Sequence, residues 1–364
     1  MKNSQMLSGA AMASTLAITL LTGCRSIGPH TIPQDRNNYS DSISESWKRQ
    51  TLLNIVKLRY VDPPIFVDVG QIVAGYSVEA SGNLGGQLSS AGAIQGNSLM
   101  LGGAAKFTDR PTVTYTPLTG DKFLRAIMTP LPPESVFFTI ESGWPADAVL
   151  FSTVGRLNGL VNQSASISGL TPAEPKFLRA LELLRRLQLS GAAGMRIEQD
   201  QLKRQTTVVT FRAAGVSDEV VADSRELRQL LGLSVDANEF KLVFGAVAAN
   251  DHELAMQTRS LLHIMGLMAA QVEVPAEHVA KGRASPGAVE ATQQGDAPLR
   301  LAHILSSRSK PSDAYVAVQY RGHWFYVDDC DLKSKRTFAF MMLLFTLADA
   351  CDKPALPLIT IPAQ

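Results

Sequence analysis

From Ala80 to Ala105 the chain runs 26 residues without a charged side chain, yet the run is not hydrophobic, being dominated by Gly, Ser, Ala, Asn and Gln. What it carries is a period of two. Ile72, Ala74, Tyr76, Val78, Ala80, Gly82, Leu84, Gly86 and Leu88 fall on one side of an extended strand, and Ser77, Glu79, Ser81, Asn83, Gln87 and Ser89 on the other. The return mirrors this pattern, with Leu99, Leu101, Gly103, Ala105 and Phe107 opposed to Ser98, Gly102, Ala104, Lys106 and Thr108, Met100 being the exception. These periods predict a long antiparallel hairpin at about 71–108. With its turn centred on Gly92-Ala93, Val78 meets Phe107, Glu79 meets Lys106 and Leu84 meets Leu101. That register suits both faces at once, whereas a slip of one residue would exchange them.

Strands of this length exceed the roughly 9 to 11 residues that cross a bilayer. Lipid leaves no unpaired backbone edge unpenalised, so one hairpin spans only as a share of a barrel built from several copies or partners. On this reading Glu79, Asn83, Gln87 and Lys106 line a lumen, while Leu84, Leu88, Leu99, Leu101 and Phe107 face lipid. The organisation is similar to that of the curli-secretion lipoprotein, whose lipidated protomers donate strands to a shared outer-membrane barrel; the likeness is of fold plan, with no shared motif. Two plainer readings stay open: a hairpin packed on its own domain, and a Gly/Ser loop with accidental alternation.

The N-terminus has one positive charge, Lys2, no acid, and an apolar or small run from Met6 to Thr22. It ends in Leu20-Leu21-Thr22-Gly23-Cys24. The run is too short and too rich in small residues for a stable spanning helix. Residues 1–24 resemble a bacterial lipoprotein signal peptide with its lipobox. The resemblance implies cleavage before Cys24, diacylglycerol on its thiol and an N-acyl chain such as palmitate on its new amine, giving an anchor that one chain alone would not provide. Arg25, where an inner-membrane retention signal would have Asp, implies the outer membrane, with the body in the periplasm. An ordinary secretory signal with a chance cysteine is the alternative. The rest of the chain resembles no characterised family.

With 364 residues, 45% of them hydrophobic and 18% charged, the chain has room for two modest domains or one large one. Thirty-four basic against 33 acidic residues argue against nucleic acid as a partner. The expected class is mixed α/β (α+β): a helical and α/β body, the long hairpin, and a C-terminal hairpin-plus-helix module. The divisions are a signal peptide (1–23), a lipidated tether (24–41), a helical domain with the hairpin (42–165), an α/β domain (171–281), a Gly/Pro/Ala/Gln linker (282–298) and the module (299–364).

Within the body, Ser42 to Tyr60 reads as an amphipathic helix ended by Asp62-Pro63-Pro64. Short helices are expected at 121–128, 133–141 and 145–160. Thr171-Pro172-Ala173-Glu174 reads as a capping box for a helix to Leu189 that turns Phe177, Leu181, Leu184 and Leu187 inward. A strand at 206–212, a helix at 218–231, a strand at 240–246 and a helix at 251–270 opened by Asn250 and Glu253 complete an α/β run. Strands at 314–319 and 323–328 flank Arg321-Gly322, and the apolar stretch 334–350 reads as a buried helix.

Motifs for chemistry are near misses. His252-Glu253 is followed by Met256 where a zinc protease needs its second His, and Gly75-Tyr76-Ser77-Val78-Glu79 lacks the closing Gly of a nucleophile elbow. His30, His252, His263, His278, His303 and His323 are scattered. Asp328, Asp329 and Asp331 precede a helix and read as caps rather than a cation site. The aromatic run Arg321 to Tyr326 reads as strand packing before recognition surface. Cys330 and Cys351 bracket the last helix, roughly 30 Å apart if it is continuous, so they are free or paired between molecules. The sequence therefore points to a non-catalytic structural or assembly component of an envelope complex, without cofactor or metal, with membrane lipid through Cys24, envelope proteins and further copies of itself as partners. A lipid-tethered periplasmic hydrolase and a monomeric ligand-binding lipoprotein are the competing classes.

Overall fold

The computed structural model describes residues 28–73, 75–87, 98–166, 169–199, 205–212, 214–286 and 300–349. They form a mixed α+β chain in two compact units: a ribbon unit containing residues 67–117, and a body of residues 47–66 and 118 onward.

The first element, helix α1, runs Gly28–Arg59. It begins well before Ser42 and takes in much of the segment expected to be a tether. Polar composition does not forbid helix, and a helix nucleated where Leu52, Ile55 and Val56 are buried propagates upstream one hydrogen bond per residue. The chain then enters β1 (Phe66–Val73), β2 (Tyr76–Gln87), β3 (Ser98–Asp109) and β4 (Thr112–Leu118).

β2 and β3 pair antiparallel along all twelve residues, with Val78 opposite Phe107, Glu79 opposite Lys106 and Leu84 opposite Leu101, the register read from alternation alone. β1 pairs with β4. At the junction the Arg110 N–H donates to the Gly75 carbonyl at 2.9 Å, so the two ladders continue one another as a single ribbon.

In the body, α2 (Asp121–Met128) and α3 (Pro133–Glu141) have the expected bounds. α4 (Ala146–Thr153) stops earlier than expected, because Val154–Leu157 is drawn out as strand β5. β6 (Leu160–Val161) returns through Asn158, whose φ of 44° and side-chain bonds to the Leu231 and Glu253 carbonyls hold the tight turn. After β7 (Ser164–Ser166) and β8 (Gly169–Thr171), helix α5 (Pro175–Leu189) starts at Pro175 rather than Pro172, with Thr171 left in the strand. Its buried face includes Phe177, Leu181, Leu184 and Leu187. β9 (Ala193–Gln199), β10 (Gln205–Phe211), α6 (Asp218–Leu230), β11 (Glu239–Phe244) and β12 (Glu253–Thr258) follow.

One six-stranded sheet, in the order β6-β5-β12-β11-β10-β9, organises this region. It joins strands from both sides of the division expected near 165–171. β11 and β12 run parallel and the other pairs antiparallel. The helix expected over 251–270 is instead strand β12 followed by helix α7 (Leu261–Ala270) capped by Ser260. Asn250 accepts from the His252 N–H and Glu253 from the Ala249 N–H, a local turn that uses the same residue types as a capping box. Leu254, Ala255 and Met256 are buried at the centre of the sheet, and that burial overrides a weak helical preference.

Arg259 follows β12 and is almost wholly buried. Its guanidinium donates to the Phe151 and Ser152 carbonyls at 2.8 and 3.0 Å, at the C-terminal end of α4, and to the Gln163 carbonyl. Burial pushes it down to about 10, and the helix-end carbonyls supply the compensating negative potential.

Helix α8 (Ala276–Ala280) precedes the C-terminal module of β13 (Leu305–Ser307), β14 (Ala314–Tyr320), β15 (His323–Asp328) and α9 (Leu332–Asp349). The hairpin turns on Arg321 and Gly322, both at positive φ (48° and 84°), as a two-residue turn matched to strand twist requires. Before α9 the Asp331 carboxylate accepts from the Ser334 N–H at 3.0 Å, and Lys335 donates to Asp329 at 2.7 Å. The aspartates thus act as cap and counter-charge. Phe338, Phe340, Met341 and Leu344 are buried in the body, and among the described residues no helix is long and apolar enough to cross a membrane. Cys330 is exposed and free; Cys351 and most of the 282–298 segment lie outside the described residues.

Candidate functional site

Of the residues singled out on the hairpin, Glu79, Asn83 and Lys106 are exposed, and the neighbouring Ser77, Ser81, Gly102 and Ala104 are exposed with them. Leu84, Gln87, Leu99, Leu101 and Phe107 take their expected ladder positions, but their side chains lie outside the described residues, as do Leu88 and Cys24 altogether. β2 and β3 form a sheet of two strands only, so among the described residues each has an outer edge that no other strand covers.

The body holds a second arrangement, which the sequence did not announce. Tyr60 follows directly on α1, in the turn that closes its last residues. Glu277 and His278 occupy the first turn of α8, set by Pro275. His323 opens β15 directly after the Arg321-Gly322 turn, on the inward side with Phe325 and Val327. The Tyr60 hydroxyl lies 2.7 Å from His278 Nδ1, the two imidazoles meet edge to face with centroids 4.9 Å apart, and His323 Nε2 lies 3.2 Å from Glu277 Oε1. His278 is 2% exposed and His323 8%. The Nδ1 of His323 is buried without any hydrogen-bond partner.

Charges surround this core of rings. Arg321 lies over the Tyr60 ring at 5.2 Å and donates to Asp62 at 2.9 Å, while the Tyr320 hydroxyl also donates to Asp62. Those two hydrogen bonds hold Asp62 below the usual carboxylate range. Burial pushes the Tyr60 phenol up to about 12, against the pull of Arg321 and Arg59. Burial also raises Glu277, but Arg308, Lys281 and the two imidazoles outweigh it and leave the carboxyl below its ordinary value. His278 is lowered, first by burial and then by His323 and Arg283.

The partners of these histidines are a phenol and a glutamate, not the serine or aspartate that a simple hydrolytic pair would bring. Elsewhere a concavity of about 700 Å³ opens between α3, the end of α5 and the β9–β10 edge. Gln188 in its wall is already committed to the Ile140 and Trp144 carbonyls and the Ala146 N–H. That amide is thereby spent on holding backbone rather than on orienting a ligand.

Sequence reasoning passed over Glu277, His278 and His323 because 45 residues separate the histidines along the chain. The one available signal was the alternation of His323, Phe325 and Val327, which places a histidine on the inward face of a strand. Comparison with known proteins adds no analogy: no protein-family model, no curated protein and no solved structure matches the chain.

Proposed function

We propose that the chain is an outer-membrane-anchored lipoprotein, held by diacyl- and N-acyl chains on Cys24, whose periplasmic body is a non-catalytic component of an envelope assembly. In the sharper form of this reading the β2–β3 ribbon is the assembling element, and further copies of the same chain complete its open edges. The observation that carries it is the twelve-residue, fully paired, two-stranded ladder with an uncharged outer half. An isolated two-stranded hairpin is marginally stable in water, and in lipid its open edges would cost several kcal/mol per unpaired group (roughly, by transfer data), so neighbouring strands are what such a ribbon lacks. A second copy is favoured as the neighbour because the period-two pattern repeats on both strands of the same hairpin, making each edge compatible with the opposite edge of another copy.

The test uses the mature, acylated protein extracted from membranes in mild detergent. Size exclusion with light scattering, followed by imaging of large species, should give a ring of many copies. A clean monomer would remove the shared barrel and leave a tethered binding protein or enzyme.

A further inference from the structure

We propose that Glu277, His278 and His323 form a divalent transition-metal site of the zinc type, with a fourth position open to water or a ligand and Tyr60 as the positioning residue behind His278. The three side chains offer one donor atom each, all within 4.8 Å of one another. Zinc bonds of about 2.0 to 2.2 Å to nitrogen and oxygen set neighbouring ligand atoms of a tetrahedron roughly 3.3 to 3.5 Å apart. The His323 Nε2 to Glu277 Oε1 separation of 3.2 Å already has that spacing. The other separations are bounded by 4.8 Å and shorten on binding, with Glu277, 38% exposed, the ligand that has most room to move.

Ring orientation supports a ligand here. His323 is more than nine-tenths buried and turns Nε2 toward Glu277, so Nε2 is its donor atom, while Nδ1 stands without a partner on the other side of the ring. His278 has its Nδ1 engaged by the Tyr60 hydroxyl at 2.7 Å, which leaves Nε2 as the available donor. A metal-bound imidazole ordinarily gives its other N–H to such an oxygen, which fixes tautomer and ring orientation.

The donor set also selects the ion. Two imidazoles and one carboxylate suit zinc and its first-row neighbours, whereas calcium and magnesium need more oxygens than this pocket has. The surrounding Arg308, Lys281 and Arg321 further disfavour a cation held by charge alone. Arg308 and Lys281 approach Glu277 at 3.4 and 3.7 Å from exposed positions, and the metal would displace them toward solvent. Three protein ligands with an open fourth position is the arrangement of zinc sites that bind an exchangeable group.

The experiment uses the full chain without a histidine tag, purified in detergent, stripped with a chelator and dialysed. Zinc chloride is titrated calorimetrically, and cobalt(II) is followed by its visible spectrum. The expected result is one zinc per chain, with intense cobalt bands of four-coordinate geometry. Glu277→Gln, His278→Gln and His323→Gln should each weaken zinc at least tenfold. Tyr60→Phe should weaken it about tenfold to a hundredfold, the range for loss of an outer-shell partner, while keeping the cobalt band pattern. His252→Gln, at an exposed histidine, should change nothing. Circular dichroism checks folding, and Glu277→Gln, at a half-exposed position, keeps the test sharp if a histidine variant misfolds. No stoichiometric binding by the wild type at micromolar zinc, or binding that Glu277→Gln leaves intact, overturns the assignment.

Discussion

The ribbon and the body are built from the same chain by opposite means. The body builds a sheet six strands wide on buried side chains such as Phe177, Val209, Phe240 and Met265, which give it an interior of its own. The ribbon has two strands, exposed side chains along its polar face and edges that no described strand covers. Its two strands are paired residue by residue along twelve positions. On the proposed reading, stability and assembly are carried by different stretches, so that a substitution should damage one while leaving the other.

The sharpest way to break that separation is to cut into the body and ask whether the ribbon follows. Phe177→Ala removes a fully buried ring and should cost about 3 to 5 kcal/mol in denaturant unfolding of the body. If assembly survives at protein concentrations where the body is still folded, the two functions are separable as argued. Arg259→Met comes next. It leaves the Phe151, Ser152 and Gln163 carbonyls without their donor and should cost roughly 2 to 3 kcal/mol, read from the same curves.

Attacking the ribbon should do the reverse. Leu84→Asp or Leu101→Asp should block membrane insertion of the assembled form, at a cost of about 2 kcal/mol per copy, while Asn83→Asp inserts normally and all three keep the wild-type unfolding midpoint of the body. Equal insertion of the three variants would sink the lipid-facing assignment.

The smallest effect concerns the cap of α9. Asp331→Ala should cost about 1 kcal/mol in thermal unfolding. Burial raises the Asp331 carboxyl, but hydrogen bonds from Ser334 outweigh it and hold the folded-state value below the ordinary one. A depressed acid contributes stability that is fully present above the unfolded value, near 4 by model peptides (about), and is lost as pH falls through the folded value. The wild type should therefore lose more stability than the alanine variant on acidification below pH of about 4. Parallel acid limbs would show that the carboxylate contributes nothing there.

Much of this was legible in local sequence. The hairpin register followed from alternation on both strands, Met100 apart, because a one-residue slip would reverse each face. α2 and α3 followed from Pro and polar starts, and the Arg321-Gly322 hairpin from a two-residue turn between alternating runs. Other elements misled. Asn250 and Glu253 have the composition of a capping box yet build a turn into a strand, since the decisive fact, burial of Leu254 to Met256 between β5 and β11, lies outside the window. Thr171-Pro172 read as the helix start, but pairing of β7 with β8 keeps Thr171 in a strand and the helix begins only at Pro175.

By itself, then, the sequence determined the ribbon's period and register, the buried face of α5, the tight turn before β15 and the signal-like run that ends at Cys24. Each depends on residues within a few positions of one another or on a repeating pattern. Only the tertiary structure decided that β5 and β6 join β9 to β12 in one sheet, that Arg259 is held by helix-end carbonyls, and that Tyr60 meets His278 across 218 residues and His278 meets His323. Those meetings come from packing of whole elements against each other, and the free energy that sets them is summed over a core that no local pattern encodes.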